Sequence, residues 1–282
     1  MKRVAIIGVG LMGGSLGLAL KRRGLAEVSL YARREETRQL AITMGAADAV
    51  FDTPGAALRK SDVAVFCLPI CSIPDVAKAC VSDFNPGCVV TDVGSTKNVI
   101  ARIMQDVFIN TDCVFVGSHP MAGSEKTGLE SARSDLYQGA ITAVTPLPKT
   151  PEGAIETVVK LWNGVGAKVV RVDAAEHDTL VARTSHLPHL IAALLVSTAG
   201  RDVSSAQKSF CGPGFRDSTR IAAGSPEIWH DIVKTNRADI LTELRHYDAA
   251  LRDLIGSLER EDFEGVRLTL QKAKLLRHDL LD

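Results

Sequence analysis

The stretch Arg3-Val4-Ala5-Ile6-Ile7-Gly8-Val9-Gly10-Leu11-Met12-Gly13 governs the reading of this 282-residue chain. Its first five residues are largely apolar and β-branched, as a strand buried on both faces of a parallel sheet requires. Gly8, Gly10 and Gly13 follow at once with G-x-G-x-x-G spacing, and Leu16, Leu18, Ala19 and Leu20 continue at helical spacing to Gly24. Strand, glycine turn and helix in that order are the context in which this spacing predicts a dinucleotide site. Gly8 permits the tight turn, Gly10 lets a pyrophosphate approach the backbone, and Gly13 lets helix and strand pack closely. Leu11 and Met12 open the helix, whose free N–H groups and dipole favour anions. A glycine-rich turn without a ligand is the alternative.

The predicted second strand, Glu27–Tyr31, bears on which dinucleotide is bound. An NAD site places Asp or Glu at the end of this strand to hold the ribose hydroxyls. Here the chain reads Tyr31-Ala32-Arg33-Arg34. No carboxylate would repel a 2′-phosphate, and two guanidiniums stand where that phosphate would lie. Ala32, Arg33 and Arg34 therefore predict NADP over NAD. The alternative is a pair of solvated arginines at a helix start.

Further strand-like runs occur at Ala49–Phe51, Val63–Leu68, Cys88–Asp92, Val114–Gly117, Ile141–Thr145 and Lys168–Val172. Helix-compatible segments at 34–44, 54–60, 72–81, 96–106 and 151–164 separate most of them. That alternation predicts an α/β, doubly wound and mainly parallel sheet, with the last strands free to run antiparallel at an edge. After Val172 the strand signal ends. Glu176–Gly200 reads as a long helix interrupted near Pro188, and Gly212-Pro213-Gly214 as a loop. Ser225-Pro226-Glu227 reads as a cap and first turn, opening a single helix of about thirty residues, roughly 45 Å long, to Leu258. Phe263 to Leu280 forms the last helix. The expected organisation is a Rossmann-type dinucleotide-binding domain over 1–172 and an all-helical domain over 173–282. Wide apolar helix faces in so small a domain predict a homodimer formed through it.

Charge excludes more than it identifies. The chain carries 33 basic and 33 acidic residues, 19 and 16 of them up to Arg171, so neither half offers the basic excess of a nucleic-acid or anionic-membrane binder. No run reads as a signal peptide or a bilayer span. Six cysteines without a C-x-x-C pair predict a reduced, cytoplasmic protein with neither a disulfide framework nor a metal site.

Ligands of open α/β sheets lie off the carboxyl ends of the strands. Two polar clusters fall there, Thr91-Asp92-Val93-Gly94-Ser95-Thr96-Lys97 and Gly117-Ser118-His119-Pro120-Met121-Ala122-Gly123. Ser95 and His119 form a candidate acid/base pair, His119 taking a proton from a substrate hydroxyl that Ser95 holds. Ser95 also reads as a helix cap and His119 as a structural hydrogen-bonding residue. The helical part adds Thr184-Ser185-His186-Leu187-Pro188-His189 and Gly214-Phe215-Arg216-Asp217-Ser218-Thr219-Arg220. Arg216 and Arg220 share a face if that segment is helical, and would hold the carboxylates of a diacid or pair with Asp217 or Glu227. His177 reads as local capping, and Cys67 and Cys71 as core thiols.

GVGLMGGSLG at 8–17, TDVGSTK at 91–97, GSHPMAG at 117–123, SHLPH at 185–189 and GFRDSTRIA at 214–222 together resemble the prephenate/arogenate (cyclohexadienyl) dehydrogenase family. The resemblance implies NADP-dependent oxidative decarboxylation of prephenate to 4-hydroxyphenylpyruvate in tyrosine biosynthesis. Arogenate dehydrogenase or a dual-specificity enzyme is its close rival. It implies that His119 accepts the proton of the ring hydroxyl and Ser95 positions that hydroxyl. Arg220 binds the side-chain carboxylate, with Arg216 in support. His186, and less directly His189, lie near the substrate side chain. No segment resembles a chorismate mutase or regulatory domain, so tyrosine feedback would act at the active site itself. Another dehydrogenase or imine reductase of similar shape, and a non-catalytic NADP-binding sensor, are the remaining readings.

Overall fold

The computed structural model describes residues 1–123, 127–201 and 204–281. In chain order its first elements are β1 (Arg3–Ile7), α1 (Leu11–Arg22), β2 (Glu27–Tyr31), α2 (Glu35–Thr43), β3 (Ala49–Phe51), α3 (Pro54–Leu58), β4 (Val63–Phe66), α4 (Ile73–Ala79), β5 (Val89–Asp92), α5 (Asn98–Phe108) and β6 (Val114–Phe115). These six strands form one parallel sheet in the order β3-β2-β1-β4-β5-β6. The order reverses between β1 and β4, and a ligand crevice opens at such a switch point.

Both faces of the sheet are covered, which is why β1 is apolar without alternation. Val4 and Ile6 face a core with Leu16, Leu20, Val158 and Trp162, while Ala5 and Ile7 face Leu58, Ile73, Met104 and Phe108. Burying a side chain of that size contributes about 1.5–3 kcal/mol.

The expected strand Val114–Gly117 is in fact two. It leaves the parallel sheet after Phe115 and re-enters a second sheet as β7 (Gly117–Pro120). β7 pairs antiparallel with β8 (Ile141–Thr145), which follows it in the chain, and β8 pairs parallel with β9 (Lys168–Arg171) beyond α6 (Glu152–Gly164). His119 thus sits within a strand, opposite Ala143, rather than in a loop after one. Gly117 marks the switch: a Cβ there would lie 2.6 Å from the Thr145 hydroxyl.

From Ala174 onward the described chain is helical. α7 (Ala174–Val181) passes through a π-turn (Ala182–His186) into α8 (Leu187–Ala199). The interruption expected at Pro188 is this turn. Proline lacks an N–H and crowds the carbonyl four residues back, and widening the preceding turn relieves both. By length and composition alone this 26-residue run could cross a bilayer, contrary to the expectation that none could. Its buried polar residues are His177, Asp178, His186 and His189.

α9 (Ser205–Phe210) and α10 (Pro213–Thr219) follow, so Gly212-Pro213-Gly214 is a cap and first turn rather than a loop. α11 (Pro226–Thr235) begins as expected, Ser225 accepting from the Ile228 N–H. The single thirty-residue helix is not formed. Asn236 leaves helical geometry at φ −119°, ψ 30°, and α12 (Arg237–Glu259) starts anew, followed by α13 (Phe263–Leu281). The reason is tertiary, because the Asn236 amide is committed to α7 and the π-turn. By compactness, Met1–Arg237 is one unit and Ala238–Asp282 another.

Candidate active site

A cavity of about 640 Å³ opens in the first unit beyond the carboxyl ends of β1, β4 and β5. Gly10, Leu11 and Met12 line one side; Gly94, Ser95 and His119 line another; Ser185, Gly224 and Trp229 come from the helical part. The three glycines differ in what forbids a side chain. Gly8 has φ +104°, and at Gly13 a Cβ would lie 2.1 Å from the Gly8 carbonyl oxygen. At Gly10 a Cβ would meet no atom of the other described residues within 4 Å, so the opening there is a cradle that a Cβ would partly fill. No described side chain caps α1, which leaves its first N–H groups to an anion. Tyr137 donates to the Met12 carbonyl at 2.7 Å and fixes this turn. These residues fit a dinucleotide.

A second recess of about 400 Å³ continues along Gly8, Val9, Tyr31, Ala32, Arg33, Arg34 and Thr37. Both arginines are exposed, and neither forms an ion pair with another described residue. Arg38 instead pins the turn, donating to the Ala32 and Arg33 carbonyls at 3.0 and 2.9 Å and pairing with Glu35.

His119 reaches the cavity wall half-buried. Its Nδ1 lies 3.0 Å from Nε2 of His177, whose own Nδ1 lies 2.8 Å from Oδ1 of Asp178. Burial holds the His119 imidazole well below its usual pKa range, and the His177, Lys97 and His186 groups add to the effect. It is therefore neutral at neutral pH and able to accept a proton. His177 is not a cap. Asp173 caps α7 by accepting from the Ala175 and Glu176 N–H groups, which leaves the His177 ring free to turn inward.

Ser95 lines the cavity and does not cap α5 either. That helix start is held from α7: the Asp178 carboxylate accepts from Lys97 N–H at 2.7 Å and Asn98 N–H at 2.8 Å. Beneath it, the fully buried Lys97 ammonium pairs with Asp92 and donates to the Ser118 carbonyl at 3.0 Å. Burial lowers the Lys97 pKa, with Asp92 opposing. Asp92 Oδ1 also accepts from Ser118 N–H, so the ends of β5 and β7 are locked together one residue before His119.

His186 and His189 are buried behind the cavity wall rather than lining it. His189 stacks on Trp229 at 3.5 Å, and His186 meets the same ring edge-on at 5.9 Å. Burial pulls His186 down to about 4 and also lowers His189. Arg216 and Arg220 are exposed and outside the lining. The short 3₁₀ turn Arg220–Ala223, however, leads directly into Gly224 and Ser225, which do line it. Cys67, expected in the core, lines the cavity beside the glycine turn, and burial raises its thiol pKa. Sequence reasoning takes His177 for a local cap and gives Asp178, Lys97, Trp229 and Asn236 no role. The one local hint is the His177-Asp178 dipeptide, which in sequence reads as capping.

The Rossmann strand order with an open glycine cradle, facing a neutral histidine across one cavity, is the architecture of an oxidoreductase that uses a nicotinamide dinucleotide. A family model described as the prephenate dehydrogenase nucleotide-binding domain matches residues 16–171, and one described as the prephenate dehydrogenase dimerization domain matches 173–272. The chain belongs to the prephenate/arogenate dehydrogenase family. It is 33% identical over 265 residues to the cyclohexadienyl dehydrogenase of Zymomonas mobilis, covering 93% of this chain and 90% of that one. Prephenate dehydrogenase from Aquifex aeolicus, solved with hydroxyphenyl propionate and NAD+, superposes with a TM-score of 0.91 at 29% identity, covering 99% and 98% of the two chains. Synechocystis arogenate dehydrogenase superposes with a TM-score of 0.84 at 25% identity, covering 99% and 100%.

Proposed function

We propose that this chain is an NADP-dependent prephenate dehydrogenase, converting prephenate to 4-hydroxyphenylpyruvate in the cytoplasm. The observation that carries the reading is the meeting of His119, Ser95 and the glycine turn around one cavity. The bound cofactor supplies the hydride acceptor. Ser95 holds the C4 hydroxyl of the ring, and His119, neutral by burial, takes its proton as the hydride leaves C4. The bond to the ring carboxylate then breaks and carbon dioxide departs; the electron pair passes through the ring to the C4 oxygen, restoring aromaticity, and that oxygen takes a proton back from His119 to give the phenol. Arg220, with Arg216 in support, binds the side-chain carboxylate. His186 and His189 back Trp229, which lines the side of the cavity offered to the substrate side chain. Neither neutral ring supplies a carboxylate to pair with the ammonium of arogenate, which favours prephenate. Arg33 and Arg34, uncommitted beside the second recess, take the 2′-phosphate and favour NADP. Domains over 1–172 and 173–282, with a homodimer formed through the second, complete the reading, and any feedback by tyrosine would act at the same cavity.

The test follows NADP+ reduction with prephenate and with arogenate. Turnover with prephenate is expected, and His119→Asn should bind NADP+ normally while losing about 10²–10⁴-fold in kcat. Preference for arogenate would reassign the substrate. Cofactor binding without turnover on either substrate would make the protein a sensor.

A further inference from the structure

The three side chains His119, His177 and Asp178 form a chain of hydrogen bonds running from the cavity into the protein interior. Every donor along it is fixed by the group at its inner end. The Asp178 carboxylate accepts two backbone N–H groups, Lys97 N–H at Oδ1 and Asn98 N–H at Oδ2. Backbone N–H groups can only donate, so both oxygens act as acceptors, as those of an ionised carboxylate do. The His177 Nδ1 bonded to it must then carry the hydrogen. Its Nε2 is left as a bare lone pair, so the His119 Nδ1 at 3.0 Å must donate. A neutral imidazole with hydrogen on Nδ1 has none on Nε2.

We propose that His177 and Asp178 are positioning residues for the base: through two successive hydrogen bonds, Asp178 holds His119 in the form whose Nε2 lone pair is available to the substrate. The proposal rests on the reading of His119 given above. The substrate O–H bond breaks and an N–H bond forms at His119 Nε2, while the protons on both Nδ1 atoms stay in place. The positive charge that develops on His119 is then hydrogen-bonded through His177 toward a buried carboxylate, which stabilises it. Among the described residues, the titratable groups facing His119 are His177 from α7, Lys97 at the head of α5 and His186 from the π-turn. Of these His177 alone is bonded to its ring. His177 and Asp178 are almost without solvent contact, and Asp173 already caps their helix, so the ring is not needed for that end.

The first test is the nitrogen-15 spectrum of the histidines in the wild-type protein without ligands, His119 being assigned by the signal lost in His119→Asn. Hydrogen on Nδ1 and a bare Nε2 are expected for His119; hydrogen on Nε2 overturns the proposal. The second compares His177→Leu with His177→Gln, whose side-chain oxygen can still accept from His119. His177→Leu should lose about 10²-fold or more in kcat, with the prephenate KM and the NADP+ Kd within about threefold, and should shift the acidic limb of the kcat–pH profile. His177→Gln should recover most of the rate. Equal losses in both, accompanied by lost cofactor binding, would show a merely structural role and overturn it. A His119 Nδ1–H signal in a protein that turns over neither cyclohexadienyl substrate would uphold the relay and reject the proposed function instead.

Discussion

The nitrogen of a carboxamide can only donate, and Asn236 uses both of its hydrogens. One goes to the Asp178 carbonyl at 2.8 Å, which fixes the orientation of the amide, and the other to Nδ1 of His186 at 3.2 Å. His186 must therefore carry its own hydrogen on Nε2, and with burial pulling it to about 4 it is a neutral donor. Asn236→Asp presents an acceptor to the same nitrogen and reverses that tautomer. The prephenate KM should then rise about tenfold, the equivalent of about 1.4 kcal/mol, with NADP+ affinity unchanged in a direct titration. An unchanged KM would remove His186 from substrate recognition. Cofactor choice is argued at the same scale. Because Arg38 pins the Ala32–Glu35 turn by its backbone, Arg33 and Arg34 can be changed without unmaking it. Ala32→Asp with Arg33→Ser and Arg34→Ser should shift the ratio of kcat/KM for NADP+ over NAD+ toward NAD+ by roughly 100-fold, since charge-assisted hydrogen bonds contribute about 1.5–3 kcal/mol each. Steady-state kinetics with both cofactors measures it, and persistence of NADP+ preference would locate the 2′-phosphate elsewhere.

At the scale of elements, the turn from β1 to α1 separates a glycine the fold needs from one its ligand needs. An alanine at Gly13 would press its Cβ to 2.1 Å from a backbone oxygen, whereas at Gly10 it would meet no atom of the other described residues within 4 Å. Gly10→Ala should melt like the wild type yet bind NADP+ at least tenfold more weakly. Gly13→Ala should lower Tm markedly, overpacking costing about 1–3 kcal/mol or more. Thermal melts and cofactor titrations of the pair distinguish the two roles, and a Gly10→Ala protein with intact binding would displace the pyrophosphate from this turn. The same turn shows why much of the fold could be read in advance. β1 and β4 are buried on both faces, so each appears as an apolar run, and the glycines declare the switch point by spacing. What could not be read depends on distant partners. The break at Asn236 exists because its amide serves α7, and the split after Phe115 exists because Gly117 must fit against Thr145. In sequence His177 and Asp178 are merely adjacent. Only folding sets His119 against one and the head of α5 against the other. Ser95 and His119 were legible because they follow strand-like runs at the sheet's carboxyl edge.

For the whole molecule, three histidines held below their usual range make folding depend on pH. The unfolded chain protonates them near 6.5, while the folded protein resists until lower pH. Between those values the unfolded state binds more protons, so this contribution to stability is complete above about pH 7 and falls as pH drops below 6.5. His186 alone, moved from 6.5 to about 4, corresponds to about 3 kcal/mol across that window. Tm should fall between pH 7 and pH 5, and His186→Gln should flatten the slope; an equal slope in that variant would assign the dependence to other groups. The second unit raises a separate question of what covers it. α12 leaves Leu241, Leu251, Ile255 and Leu258 exposed, and α13 leaves Phe263, Leu270, Leu276 and Leu280 exposed. Leu251, Ile255 and Leu258 recur at helical spacing, so they form a stripe rather than scattered contacts. A stripe of that kind marks an interface, and the matching family model carries the description of a dimerization domain. A second copy of the chain is the proposed cover, so the wild type should sediment as a dimer at micromolar concentration. Leu251→Glu with Ile255→Glu would place two carboxylates on the stripe, where burial without partners is costly. That variant should sediment as a monomer, with Gly8–Gly13 still binding NADP+, because the cofactor turn belongs to the other unit. A monomeric wild type, or a double variant that remains dimeric, would place the interface on another surface.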